Sequence, residues 1–458
     1  MPTPLVKEHP NEPRARNAPS CRHPALPLDV AGIGIGPFNL SVAALLDSVP
    51  GLNARFFEKK KQFIWHQGLM FPGSILQTSF LKDLVTPVLP TSPHSFTAFL
   101  VEKKRFYDFL SGRFTGVTRM EFNEYLQWVS ARLDTLAFDE EATAVHLDGS
   151  RLRLEFASGR TELAHNLIAG AGMQPFVPPC TAAHLGADCF HAGTYLTQPR
   201  NFTGKRVAVI GGGQTGAEIV LDLLTRADGA PAHVSWISNL PRFSPLEEGG
   251  FVDQVFTPGY VAAYQTLPFE AQRSEIAGQK LASDGLTPVT VDTLFAEIYR
   301  RRHLMGENCI SLLPGRNLEA MDRQNGGFLL HTHAVTSGES ELFAADVVIL
   351  ATGARPALPA CLEPLRHRLD LDAHGLPVLD ASYRLQWDGP SSIGLFGLNL
   401  GLSSHGIVDP QMSLMAWRSA VIINALTGED LFDVSAGPEL VDWPKRLPDE
   451  APLTRAVG

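Results

Sequence analysis

Two stretches, LDVAGIGIGPFNLSVAALL (Leu28 to Leu46) and KRVAVIGGGQTGAEIVLDLL (Lys205 to Leu224), decide the fold. In each, a strand-like apolar run passes through clustered glycines into a run with helical spacing. The glycines divide the work of such a turn. One permits the tight bend after the strand, the next lets a pyrophosphate approach the backbone, and the last lets helix pack on strand. The helix N-terminus then offers free N–H groups to the phosphates. One such turn is a weak signal. Two in one chain point to two dinucleotides held by one protein, the arrangement that passes electrons from a nicotinamide to a flavin.

Working outward from the first turn, the strand DVAGIGI, the helix NLSVAALLDSV and the strand ARFFEKK make a βαβ unit ending near Glu58. A carboxylate there can accept hydrogen bonds from ribose hydroxyls, although a strand-end Glu can also simply be solvated. Residues 60–130 are rich in aromatics and turn formers and become helical near MEFNEYLQWVSARL. Strand-like alternation follows over 142–156, then a buried strand with a glycine turn in HNLIAGAGMQPFVP. Around the second turn the next strand is HVSWIS, and residues 245–310 read as helical and irregular. AADVVILATGARP (Ala344 to Pro356) reads as the strand by which the chain returns to the first sheet. SSIGLFGLN reads as another buried strand and DPQMSLMAWRSAVIINALTG as a closing helix.

The expected fold is therefore α/β, with two dinucleotide-binding, Rossmann-like domains for FAD and NADPH and a small, mostly helical substrate region. Residues 1–27 are expected as a disordered tail. Residues 28–200 would open the FAD domain, 201–344 would form the NADPH domain with a substrate-contact segment at 245–310, and 345–458 would complete the FAD domain. The nicotinamide reading favours NADPH. The second strand of that unit runs into WISNLPRF, where Ser238, Asn239 and Arg242 stand and no acid does. A 2′-phosphate is repelled by carboxylate and favoured by Arg and hydroxyl donors, although Arg242 could equally be a plain surface charge.

At 458 residues and 44% hydrophobic content the chain can bury two or three ordinary cores. Its net charge of −10 argues against a nucleic-acid partner. No apolar run reaches membrane-spanning length, and residues 1–27 lack the apolar centre of a secretory signal. A targeting role for Arg14, Arg16 and Arg22 stays open. The five cysteines are scattered and have no metal-ligand spacing, which fits reduced thiols in a cytoplasm and no metal site.

More specific than either turn is a set of segments: GIGIGPFNLS, FFEKKKQFIWH, LQTSFLKDLVTPVLPTSPHSFTAFLVEKKRFYDFL, GGGQTGAE, ASDGLT and SSHGIVDPQMSLMAWRSA. Together, from Asp29 to about Gly428, they resemble the flavin-dependent N-hydroxylating monooxygenases of siderophore biosynthesis, and among these the lysine N6-hydroxylases of aerobactin-type pathways. The resemblance implies FAD reduced by NADPH, oxygen added at the flavin C4a, and transfer of one oxygen atom from O2 to a primary amine. It implies FAD contacts at Gly32, Gly34, Gly36, Pro37, Glu58, Lys59, Trp65, His66, Gln77, Arg119, His405, Gly406 and Ile407. Gln77 would hold the reacting flavin or the nicotinamide amide, and Arg119 would either approach the flavin or make a helix-start salt bridge. NADPH contacts would come from Gly211, Gly212, Gly213, Gln214, Thr215, Ser238, Asn239, Arg242 and Asp284.

For the substrate, the resemblance assigns Lys82 of FLKDL to an α-carboxylate; relatives that act on diamines tend to have a small residue there, and a cation would repel a diamine. Asp253, Gln254, Asp284 and Val408 complete the expected substrate set. Asp253 and Asp284 stand where ornithine hydroxylases resemble FVNEIF and TNY, and Val408 where they have serine, a pattern favouring L-lysine over L-ornithine, putrescine or cadaverine. Either acid could instead be a helix cap. The family resemblance also implies a homo-oligomer, a tetramer. A flavin disulfide reductase would need a redox cysteine pair close in sequence or in space, and no CxxC or CxxxxC is present. A binding module without catalysis would have no need of intact turns, Glu58 and the aromatic stretch.

Overall fold

The computed structural model describes residues 26–444, so most of the expected tail lies outside the described residues. Strand Leu28–Ile33 is central to a seven-stranded sheet, with parallel neighbours Ala54–Glu58 and Thr161–Ala169. Parallel pairing demands a crossover, and helix Pro37–Leu46 supplies it. That helix is buried from Phe38 to Leu46, because it is apolar all round and lies between the sheet and the closing helix Met415–Thr427. Ser419 Oγ meets Ser41 Oγ at 2.9 Å across that helix contact.

On the edge away from Leu28–Ile33, Thr161–Ala169 is shared between two partners. Its first half pairs antiparallel with Arg151–Phe156, and its second half pairs parallel with Gly394–Gly397. The alternating stretch 142–156 is thus a hairpin, Ala142–Asp148 against Arg151–Phe156, turning at Gly149 with φ +61°.

A second, fully parallel sheet runs in the order Ile310–Leu313, His233–Ile237, Arg206–Ile210, Val347–Leu350, Cys189–His191. Here the sequence expectation is corrected. The strand of AADVVILATGARP does not return to the FAD sheet but pairs with Arg206–Ile210, and the return strand is Gly394–Gly397. An all-apolar run fits the middle of either sheet. The choice is made at its edge, where Asp346 holds Arg206 at 2.6 Å and accepts from the Arg206 N–H at 2.8 Å. The second sheet therefore begins before residue 201, at Cys189, and extends past 344. An antiparallel meander, Arg316–Gln324, Gly327–Ala334 and Ser340–Ala345, is a separate three-stranded sheet that packs on it through Met321, Phe328 and Leu330.

The chain crosses between the sheets twice, and the crossings form a short antiparallel ribbon of Gln174–Pro175 with Ala354–Arg355. Phe176 donates its N–H to Gly353 at 2.9 Å, and the Arg355 guanidinium lies 3.5 Å over the Phe176 ring. A second tie comes from residues 67–71. Phe71 of that loop is buried in the core of the second domain, against Tyr195 at 5.7 Å between ring centroids. Gly68 lies so near Gly193 that a Cβ would sit 1.9 Å from the Gly193 carbonyl oxygen, so only glycine fits.

Candidate active site

At the first turn a Cβ on Gly32 would strike the Phe56 ring, and Gly34 has φ +83° with a Cβ position 2.6 Å from the Gly170 carbonyl oxygen. Gly36 differs. It is the extended N-cap of helix Pro37–Leu46, makes no side-chain cap, and a Cβ there would meet nothing within 4 Å. Glu58 lies buried beneath the turn, accepting from Ile35 N–H at 2.9 Å and Lys60 N–H at 3.1 Å. Asn39, missed in the sequence, donates to the Ile33 and Gly34 carbonyls at 3.1 and 2.7 Å and braces the same bend. Its signal was a polar residue in an otherwise apolar helix. Lys59 is exposed.

The second turn repeats the pattern. Gly211 has φ +128° and a Cβ position 2.1 Å from the Ala351 carbonyl oxygen, while Gly213 is another extended, uncapped N-cap facing open space. Ser238 is buried, with Oγ accepting from Leu240 N–H at 3.1 Å, so it shapes the loop. Asn239 and Arg242 are exposed beside it, and Arg242 Nε donates to Ser244 Oγ at 3.2 Å. Thr215 is half-buried. Gln214 points into its own domain, donating to Glu218 and Thr290 at 2.9 Å each and accepting from Thr287 N–H at 2.9 Å.

His66 has a left-handed backbone, φ 46°, and its ring is exposed, yet burial, helped by Arg119 and Lys60, pushes its pKa down to about 4. Trp65 stands edge-on to it at 4.9 Å and to Phe122 at 6.1 Å. Gln77 is exposed, on a segment fixed by the Leu76 N–H to Val117 carbonyl bond of 2.8 Å. Arg119 takes the salt-bridge alternative: Nη1 reaches Glu218 at 2.8 Å and the Leu69 carbonyl at 3.4 Å.

Lys82 is half-buried with Nζ 6.0 Å from the Phe256 ring centre. Burial lowers its pKa and the nearby Asp253 carboxylate opposes that. Its aim is set by Asp83, which buries a carboxylate accepting from Val85 N–H (2.9 Å), Thr86 N–H (2.6 Å), Thr86 Oγ1 (2.8 Å) and Phe96 N–H (2.6 Å). Asp253 is exposed on the turn Val252–Phe256, where Gln254 donates to the Gly250 carbonyl at 3.3 Å. Asp284 is exposed at the end of helix Lys280–Ser283, and desolvation raises its pKa against the pull of Lys280. The structure thus brings Lys82 within electrostatic reach of Asp253, short of a direct ion pair, while the charge that acts on Asp284 is that of Lys280.

The segment 405–408 is packed inward. Val408, expected beside the substrate, is fully buried with Val255, Phe256, Tyr260 and Ile407, so it shapes the site only from behind Phe256. The buried pair Arg418–Asp409 (3.4 Å) holds it there, with Arg418 also donating to the Gln411 carbonyl at 2.9 Å. Gly406 has φ +74°, and the His405 ring stacks on Tyr383 at 3.7 Å. Any FAD contact from this segment is left to its backbone.

Burial lowers the His405 pKa to about 4. The unfolded chain then binds the extra proton between the ordinary value and that one, so the stability this neutral ring permits is lost as pH falls through that window. Unfolding free energy measured by denaturant titration is expected to drop by about 3 kcal/mol from this residue between about pH 6.5 and 4. A His405→Gln variant, if it folds, should show a flatter slope.

The two turns fit two nucleotide phosphates: each ends at a helix N-terminus whose cap has no side chain and whose Cβ space the chain leaves open. Among the described residues no cluster of His, Cys, Asp and Glu could hold a metal, and no helix is long and apolar enough to cross a membrane.

A profile of the family "L-lysine 6-monooxygenase/L-ornithine 5-monooxygenase" matches residues 26–356. The L-lysine N6-monooxygenase of Escherichia coli is 39% identical over 91% of this chain and 98% of its own. The FAD-bound cadaverine monooxygenase DfoA of Erwinia amylovora superposes with a TM-score of 0.87 at 28% identity, over 93% of this chain and 100% of that one. The Kutzneria ornithine N-hydroxylase KtzI, with reduced FAD, NADP+ and L-ornithine, gives 0.81 at 27% identity, over 88% and 99%.

Proposed function

This chain belongs to the L-lysine 6-monooxygenase/L-ornithine 5-monooxygenase family, and from that premise we propose that it N-hydroxylates the side-chain amine of L-lysine for hydroxamate siderophore biosynthesis. It is an FAD- and NADPH-dependent monooxygenase: NADPH gives two electrons, one atom of O2 enters the new N–O bond, and the other leaves as water. The flavin, when bound, supplies the activation of dioxygen.

The rest falls to this chain's own residues. The observation that carries the lysine reading is the half-buried Lys82 ammonium beside Asp253 and Phe256. Lys82 Nζ takes the α-carboxylate and Asp253 the α-ammonium of a zwitterion. The ε-amine, at the other end of the substrate, has to shed its proton before it can attack, and desolvation beside the flavin favours that neutral form. Gln77 offers an amide to the reacting flavin edge or the nicotinamide. Asn239 and Arg242 face the 2′-phosphate.

Hydroxylamine product, measured by mass spectrometry on L-lysine, L-ornithine, cadaverine and putrescine, tests the reading. L-Lysine should give the most product, with L-ornithine disfavoured by about 1–3 kcal/mol for one methylene. Product from diamines alone would remove the role given to Lys82. A homotetramer belongs to the same proposal, supported by Phe295 and Tyr299, exposed apolar side chains one turn apart on helix Pro288–Tyr299. So does a cytoplasmic site of action, supported by unpaired cysteines among the described residues.

A further inference from the structure

Glu218 sits on the helix that follows the second glycine turn, four residues beyond Gln214, and is almost wholly buried. Each of its carboxylate oxygens is committed to a different body of the molecule. Oε2 takes Arg119 Nη1 of the first domain at 2.8 Å; Oε1 takes Gln214 Nε2 at 2.9 Å. From Arg119 the contacts continue to the Leu69 carbonyl, three residues from His66. From Gln214 they continue to Thr287 N–H and Thr290 Oγ1, at the start of the helix that directly follows Asp284 and Gly285. One carboxylate therefore links the flavin-lining loop, the pyridine-nucleotide turn and a segment expected at the substrate. Side-chain exposures of 16% for Arg119 and 6% for Glu218 keep water from competing for the pair.

We infer that Glu218 is a positioning residue that fixes the NADPH turn relative to the FAD domain, so that its loss weakens NADP+ binding and uncouples NADPH oxidation from hydroxylation. The inference rests on the two-nucleotide reading above. Glu218 acts through Arg119 and Gln214. Neutralising it leaves the Arg119 cation buried without its partner, which disturbs the pair more than removing both charges does. A misplacement of about 1 Å between reacting groups is enough to cost two orders of magnitude in rate, and an oxygen-activating flavin that waits for a displaced amine releases hydrogen peroxide.

The test uses the FAD-loaded enzyme and Glu218→Gln, which keeps the shape of the side chain. NADP+ affinity is read by calorimetry, FAD affinity by reloading the apoprotein, and coupling as hydroxylamine formed per NADPH. Expected for Glu218→Gln are an NADP+ Kd weaker by about tenfold, corresponding to about 1.4 kcal/mol, and a clear fall in coupling with matching peroxide release. FAD affinity and L-lysine affinity should stay close to wild type. The double variant Arg119→Gln/Glu218→Gln should lose less than the sum of the two single changes. If Glu218→Gln lowers only the melting temperature and leaves NADP+ affinity and coupling intact, the inference is overturned. Should the single variant not fold, the double variant is read alone, and wild-type NADP+ affinity and coupling in it would overturn the inference equally. A wild-type enzyme that binds no NADP+ fails differently, since it removes the two-nucleotide reading itself.

Discussion

Replacing the cation at position 82 by alanine raises the KM for L-lysine by about a hundredfold while NADPH oxidation proceeds almost as before. Truncating one member of a desolvated charge pair costs about 2–5 kcal/mol, and Lys82 is only half-buried, which places it near the lower end, at about 2.7 kcal/mol. The split between the two substrates follows from position. Lys82 lies beside Phe256 and Asp253 and belongs to neither glycine turn, so its loss is expected at the amino-acid end. The same variant should narrow the preference for L-lysine over cadaverine, because the diamine no longer meets a like charge. Steady-state kinetics on both amines, with hydroxylamine as the readout, check this. An unchanged KM for L-lysine would withdraw the carboxylate role from Lys82.

Gly36→Val should give a folded, colourless protein. The backbone there is extended and a Cβ meets nothing in the chain, so the apoprotein's melting temperature should shift by only a few degrees, the scale of about 1 kcal/mol. The isopropyl group instead fills the space over the N–H groups of helix Pro37–Leu46, and FAD affinity should fall by at least about a hundredfold. Gly34→Ala offers the contrast. At φ +83°, with the Gly170 carbonyl oxygen 2.6 Å from the new Cβ, it strains the apoprotein itself. Thermal melts of both apoproteins and FAD titration separate a phosphate site from a structural turn. Wild-type FAD affinity in Gly36→Val would remove the phosphates from that helix.

The two glycine turns were legible because their function is local: bend, close approach and helix start all fall within a few residues. So were the buried strands around them. What the sequence could not say is which sheet an apolar strand joins. VVIL satisfies the interior of either, and the deciding contact, Asp346 with Arg206, spans the inserted domain. The meander 316–345 went unread, although its third strand overlaps the opening residues of AADVVILATGARP. At the site, Lys82 and Asp253 were read separately from their motifs, and only folding brings them together. Gln214 and Ser238 were read as ligand contacts, yet their side chains are spent within their own domain, a use that no motif distinguishes from the other. Arg119 was left between two roles because its partner lies on another domain. Val408 was taken as a substrate neighbour since its motif is; a buried arginine ten residues later turns it inward.

Phe71 and Gly68 carry a consequence for modularity. The polypeptide visits the second domain through the ribbon, but it also lends that domain a plug from a loop far upstream. The pyridine-nucleotide unit is therefore not a cassette bounded by its own linker residues. Grafting 176–353 into a relative would leave a hole where the Phe71 ring belongs unless the recipient's loop supplied a ring of like size and a glycine at the crossing. Such chimaeras must exchange both pieces together.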